Sequence, residues 1–105
     1  MMPIYFRSRA REAALQVLDN TSLGERIANA MEDEGGLLAI HASHDLLDSL
    51  SSGEEALYHF VAALGGHGCV NLYELLNRVD DNCALHCFWS LGVLAGHASH
   101  IEVPS

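Results

Sequence analysis

Residues 82–96 read NCALHCFWSLGVLAG, and the interpretation of the whole chain starts from this stretch. Between Cys83 and Ala95 only His86, Ser90 and Gly92 are not apolar, and no Asp, Glu, Lys or Arg occurs. A helix that is hydrophobic on every side is normally buried, and one of this length is too short to cross a bilayer. The sequence therefore predicts a central apolar core helix at about 82–96.

The preceding segments have the spacing of amphipathic helices that could pack around this core. Ser52 followed by Glu55 has the pattern of a capping box and begins a predicted helix that runs to Leu64. Another predicted helix runs from Ser22 to about Glu34. Both carry apolar side chains at helical intervals on one side, as helices of a bundle do.

The remaining segments complete a predicted all-α fold. Gly35-Gly36 is expected to end the second helix. Residues 37–50 are ambiguous, and we interpret them as a helix that begins near 37 or near 43. Ile4–Phe6 suggests an extended N-terminal arm or a short edge strand. We therefore expect one domain over residues 1–105, a bundle of five to six helices around the apolar helix.

The charge of the chain restricts its partners. The formal net charge is −9 with histidine neutral, and the chain has five arginines and no lysine. An acidic surface disfavours contact with phosphate backbones, and no apolar run is long enough to span a membrane. The composition therefore predicts a protein partner with a basic surface, and neither direct nucleic-acid binding nor membrane insertion.

Acidic residues occur in clusters, which are the candidate partner-binding sites. Three of them would lie at the C-terminal end of the second helix, where negative charge opposes the helix dipole. Such a cluster is either a solvated helix end or a feature kept for binding. We predict a non-enzymatic protein-interaction module, and one form of it is an inhibitor or adaptor that covers a basic nucleic-acid-binding surface. The candidate residues are Glu32, Asp33, Glu34, Asp45, Asp48, Glu54 and Glu55.

No motif identifies a reaction. The chain has no G-x-S-x-G sequence, and its glycine pairs fit neither a P-loop nor a dinucleotide fingerprint. We therefore assign no catalytic residue, and the sequence favours a protein that is not an enzyme.

Metal binding is the alternative function. Residues 36–44 (GLLAIHASH) and 92–100 (GVLAGHASH) share seven of nine positions, which indicates either a duplicated helical hairpin or chance similarity. Each copy ends in a His-x-x-His pair, and two such pairs could give a zinc ion four nitrogen ligands. Histidines at helix ends are the simpler explanation. The candidate ligands are His41, His44, His97 and His100; without this site no cofactor is predicted.

A second group of possible ligands combines loop and helix residues: His67, Cys69, Cys83, His86 and Cys87. The last three share one face of the predicted core helix. Cysteine in a core helix is most often a small buried hydrophobic residue, which is the simpler interpretation here.

Cysteine number and apolar content give two further expectations. Three cysteines cannot all pair within the chain, which favours a reducing compartment and a cytoplasmic location. Half of the residues are apolar in a small domain, so some apolar surface is expected to stay exposed. A homodimer that covers this surface is a further alternative.

Overall fold

A computed structural model of the chain describes residues 3–96. Six helices and a three-stranded antiparallel sheet form this part, with a single 3-10 turn at Ala28–Ala30. The expected all-α fold is therefore wrong, and the protein is mixed α/β. The elements are β1 (Ile4–Phe6), α1 (Ser8–Leu18), α2 (Ser22–Ile27), β2 (Met31–Glu34), β3 (Leu37–Ile40), α3 (His44–Asp48), α4 (Ser52–Leu64), α5 (Leu72–Arg78) and α6 (Asp81–Leu94).

A tight hairpin replaces the second half of the predicted second helix. Strands β2 and β3 pair antiparallel, with Glu34 opposite Leu37 and Met31 opposite Ile40. Gly35 and Gly36 connect them at φ of 59° and 85°. A two-residue turn with positive φ at both positions matches the right-handed twist of the strands it joins, and glycine adopts it without steric cost. Gly35-Gly36 is thus a hairpin turn rather than a helix stop.

The sheet has one face on the helices and one toward solvent. β3 lies in the centre, with β1 and β2 on either side. Phe6, Leu38 and Ile40 are buried on the inner face, against which α1 packs. Tyr5, one position away from Phe6, lies on the other face and is 47% exposed. This alternation follows from the two-residue period of a strand. Of the two alternatives for Ile4–Phe6, an extended arm or a short edge strand, the structure has the edge strand.

Helix α4, and not α6, is the central helix. Seven of its thirteen residues are buried: Ala56, Leu57, Tyr58, Phe60, Val61, Ala62 and Leu64. In α6 only Cys87, Ser90 and Val93 are buried, and this helix packs mainly against α1. The prediction of a central helix at about 82–96 is wrong. A helix that is apolar on every side can still leave one side uncovered by the rest of the chain.

The helix starts are fixed largely by side chains that cap them. Ser51 and Glu54 form the capping box of α4, one residue before the predicted pair. Asn71 caps α5 and Asp80 caps α6, since each side chain accepts a hydrogen bond from the backbone N–H three residues on. These bonds satisfy N–H groups that have no partner inside the helix.

The repeated GxLA segments do not share a structure. Gly36 lies in the hairpin turn and residues 37–40 form a strand, whereas Gly92, Val93 and Leu94 are helical. Of the two explanations left open for the repeat, a duplicated helical hairpin is therefore wrong for this part of it. Among the helices in residues 3–96, none has both the length and the apolar character needed to cross a membrane.

Candidate functional site

The seven candidate acidic residues lie on three elements. Glu32, Asp33 and Glu34 belong to β2, an outer strand of the sheet, and not to the end of a helix. The helix-dipole argument for them is therefore wrong. Asp45 and Asp48 lie in α3, and the last two candidates, Glu54 and Glu55, lie in the first turn of α4.

Arginines of the same chain neutralise three of these carboxylates. Asp33 points to the inner face of the sheet and pairs with Arg11 of α1 through two hydrogen bonds. The bond from Arg11 holds the pKa of Asp33 below its usual range. Glu55 lies 4.0 Å from Arg78. Asp33 thus ties β2 to α1, whereas Glu55 and Arg78 are both exposed and make a weaker surface pair.

Glu54 is also committed to the fold. Its carboxylate accepts a hydrogen bond from the Ser51 N–H, which lowers the pKa of Glu54, and Arg26 lies 3.6 Å away. Its side chain is only 12% exposed, so it contributes little to any partner surface.

The other four carboxylates form what we call the acidic edge: Glu32, Glu34, Asp45 and Asp48. All are exposed, and in residues 3–96 no arginine lies within 4.0 Å of them. Glu32 lines a shallow hollow together with Arg26 of α2 and Leu46 of α3. Its nearest basic group is the exposed ring of His41, 3.8 Å away.

The predicted histidine site is only partly within the described residues. His41 follows β3 and His44 begins α3, and both are exposed. His97 and His100 lie outside the described residues. Within residues 3–96, no group of three or more His, Cys, Asp or Glu side chains is arranged to hold a metal ion.

The second predicted ligand group is spread over separate places. His67 lies beside β1, with its Nε2 atom 2.9 Å from the backbone oxygen of Tyr5. Cys69 lines a hollow between α4 and α5 that it shares with His59. His86 of α6 instead contacts Gln16 of α1 and stacks on Trp89.

Of the two cysteines of α6, Cys87 is buried and Cys83 is partly buried. Burial raises the pKa of Cys83 to about 11 and that of Cys87 to about 12. Both thiols therefore stay protonated at neutral pH, whereas nucleophiles and metal ligands are thiolates.

Exposed apolar surface, which the composition leads one to expect, lies on α6, the helix that was predicted to be buried. Phe88 is 59% and Leu91 is 41% exposed, and both point away from α1. We call this surface the α6 outer face; its members are Ala84, Leu85, Phe88, Leu91, Gly92 and Ala95. The signal was present in the sequence, because a charge-free helix is also what an interface between proteins requires.

Comparisons with protein-family models, with curated proteins and with solved structures gave no match. The function is therefore argued from the geometry of these surfaces alone.

Proposed function

We propose that this chain is a non-enzymatic protein-interaction module whose acidic edge binds a basic surface of another protein. The observation that carries the proposal is the set of four exposed carboxylates on β2 and α3 that no arginine of the described residues neutralises. Charges left free in this way raise the rate at which an oppositely charged partner is captured.

The position of β2 supports an extended partner segment. In the described residues β2 pairs with a strand on one side only, so its other edge keeps backbone N–H and C=O groups free for a further strand. Glu32 and Glu34 lie on the same, solvent-facing side of that strand. A basic peptide added along β2 would gain backbone hydrogen bonds as well as ion pairs.

The same charges select against wrong pairing. Two copies of this chain that met through β2 would place Glu32 and Glu34 next to one another, and like charges across a strand pair are destabilising. The edge thus discriminates in favour of a basic strand, which is how natural sheet edges avoid self-association.

We propose that the protein acts in the cytoplasm. The specific form of the interaction module that we propose is an inhibitor or adaptor of a basic nucleic-acid-binding protein. Three cysteines leave at least one thiol without a partner in the chain, which suits a reducing compartment. An acidic edge could compete there with the phosphates that such a surface normally binds.

The test uses a short synthetic peptide that alternates arginine and valine. Calorimetry measures its affinity for the chain at about 50 mM and about 200 mM salt. The double variant Glu32→Gln/Glu34→Gln should weaken binding by about fivefold, as expected for the loss of two exposed ion pairs. Affinity for the unsubstituted chain should fall as salt rises.

A control variant of equal charge separates a specific edge from general attraction. Glu74→Gln/Asp81→Asn removes the same charge from α5 and α6 and should leave the affinity nearly unchanged. Equal weakening by both variants, or an affinity that does not depend on salt, would contradict the proposal.

A further inference from the structure

The α6 outer face needs a partner of a different kind from the acidic edge. Its residues carry no charge, and its most exposed members are a phenylalanine and a leucine. Exposed apolar clusters on small proteins commonly mark contact surfaces. We propose that this face is the contact between two copies of this chain, which pair their α6 helices antiparallel. The inference goes beyond the proposed basic partner, because it uses another surface.

The spacing of the exposed residues favours a helix as the partner. Ala84, Phe88, Leu91 and Ala95 follow one another at intervals of four, three and four residues. These are the intervals at which side chains of one helix enter the gaps of a second helix in a coiled coil. Leu85 and Gly92 flank the row. This spacing therefore favours a helix as the partner of the face.

The order of large and small residues is self-complementary when the two helices run antiparallel. Phe88 then lies opposite Leu91 of the second copy, and Ala84 lies opposite Ala95. The large side chains meet at the centre of the contact and the alanines at its ends, where they let the helices approach. A twofold interface requires this reciprocity, in which residue i contacts j and j contacts i.

The distribution of charge makes the α6 outer face a better contact between two copies than the rest of the surface. Each chain carries a formal net charge of −9, so two copies repel one another in most orientations. The one charged residue of α6 is Asp81 at its first position, and residues 82–96 contain no Asp, Glu, Lys or Arg. Contact through this stretch keeps like charges farther apart than contact through the acidic edge would.

The size of the face predicts a weak dimer. Fourteen residues make a helix of roughly 21 Å. One helix face of that length buries less than the roughly 1,600 Å² of a standard interface. We therefore expect reversible dimerisation that depends on protein concentration. A dimer would carry two acidic edges, and a partner with repeated basic sites would bind it with avidity.

Sedimentation velocity of the full chain over a range of concentrations tests the proposal. We expect a shift from monomer to dimer as concentration rises. Phe88→Asp should raise the dimer dissociation constant at least about 30-fold, as expected for the central aromatic residue of an interface. The control is Tyr73→Asp, which alters an aromatic residue that is 79% exposed on α5 and should leave dimerisation unchanged.

The antiparallel arrangement has its own test by disulfide cross-linking in a Cys69→Ser background. Ala84→Cys mixed with Ala95→Cys should give a cross-linked heterodimer, because these positions face one another across the contact. Each variant alone should cross-link poorly. Self-cross-linking of either variant that equals or exceeds the mixed product would overturn the antiparallel pairing.

Two further results would overturn the dimer itself. One is a chain that stays monomeric up to about 1 mM, the weak end of measurable affinity. The other is a dimer that Phe88→Asp and Tyr73→Asp affect equally. Circular dichroism should show both variants folded, since both side chains are exposed. Neither result bears on peptide binding at the acidic edge, so the two proposals fail separately.

Discussion

The side-chain amide of Gln16 on α1 donates a hydrogen bond to the Nδ1 atom of His86 on α6, with 3.0 Å between the two nitrogens. The His86 ring also stacks on Trp89, with its plane within 5° of the indole. This contact is one of those that hold α6 on α1 in the orientation in which Phe88 faces outward, together with the burial of Cys87, Ser90 and Val93.

Loss of the donor should destabilise the α1–α6 contact. Gln16→Leu leaves a partly buried nitrogen of His86 without its partner, and we expect a cost of about 1 kcal/mol in the free energy of unfolding. The double variant Gln16→Leu/His86→Leu removes both polar groups and should cost less than the sum of the single variants. Urea unfolding followed by circular dichroism measures all three, and strictly additive costs would show that the two side chains do not interact.

Gly24 should tolerate no side chain. A Cβ atom there would lie 1.7 Å from the backbone oxygen of Leu18, because α2 passes directly over the end of α1. Gly24→Ala must push the two helices apart, and we expect a loss of about 1–3 kcal/mol despite the higher helix propensity of alanine. Glu25→Ala, at the exposed next position of α2, is the control and should change stability by less than about 0.5 kcal/mol. If Gly24→Ala left the free energy of unfolding unchanged, α2 would have to lie farther from α1 than it does in this structure.

Local signals in the sequence mark several helix starts. Asn71 and Asp80 cap α5 and α6, and the capping box of α4 lies one residue before the predicted pair. Capping depends on contacts within one turn, so it can be read from neighbouring residues. The same reasoning found the exposed acidic residues but not which of them an arginine neutralises. The Arg11–Asp33 pair joins α1 to β2, and only the packing of the sheet on the helix brings them together.

The sheet was not predicted because a pair of glycines is compatible with two structures, the end of a helix and the turn of a β-hairpin. Gly35-Gly36 after a polar segment resembles a helix stop, but between two short strand-forming segments it is a hairpin signal. The apolar residues 37–40 are too few to distinguish a strand from a helix by their periodicity. As a strand, this segment buries the side chains of Leu38 and Ile40 on the inner face of the sheet. The charge-free sequence of α6 fits a core helix and an interface helix equally well, because apolar composition does not say which faces of a helix are covered.

The two turn glycines should respond differently to substitution. Gly35→Asn creates Asn-Gly, a preferred pair for this turn type, and we expect unchanged or slightly higher stability. Gly36→Val places a β-branched residue at φ of 85° and should cost at least about 1 kcal/mol. Thermal unfolding of both variants measures the contrast. Equal effects would argue against a hairpin with positive φ at Gly36.

The three cysteines should differ in reactivity toward Ellman's reagent at neutral pH. Cys69 is exposed and should react quickly in the folded protein. Cys83 and Cys87 should react slowly, because burial raises the pKa of their thiols to about 11 and about 12. We expect one fast thiol in the native state and three in denaturant. Cys69→Ser should abolish the fast reaction, and a fast reaction that survives this change would place a second thiol at the surface.

Acid should destabilise the fold through the capping box of α4. The hydrogen bond from the Ser51 N–H lowers the pKa of Glu54 in the folded state. A carboxyl group whose folded pKa is depressed stabilises the fold above its unfolded pKa, and this contribution is lost as pH falls through the folded value. The melting temperature should therefore drop as pH falls below about 4.

The variant Glu54→Gln tests this assignment. Glutamine can also close a capping box, so Glu54→Gln should keep most of the stability at acid pH. At neutral pH it should lose the attraction to Arg26. Its melting temperature should consequently vary less between neutral and acid pH than that of the unsubstituted chain. The same pH dependence in both proteins would assign the acid sensitivity to other carboxylates, such as Asp80, whose pKa the Cys83 N–H lowers.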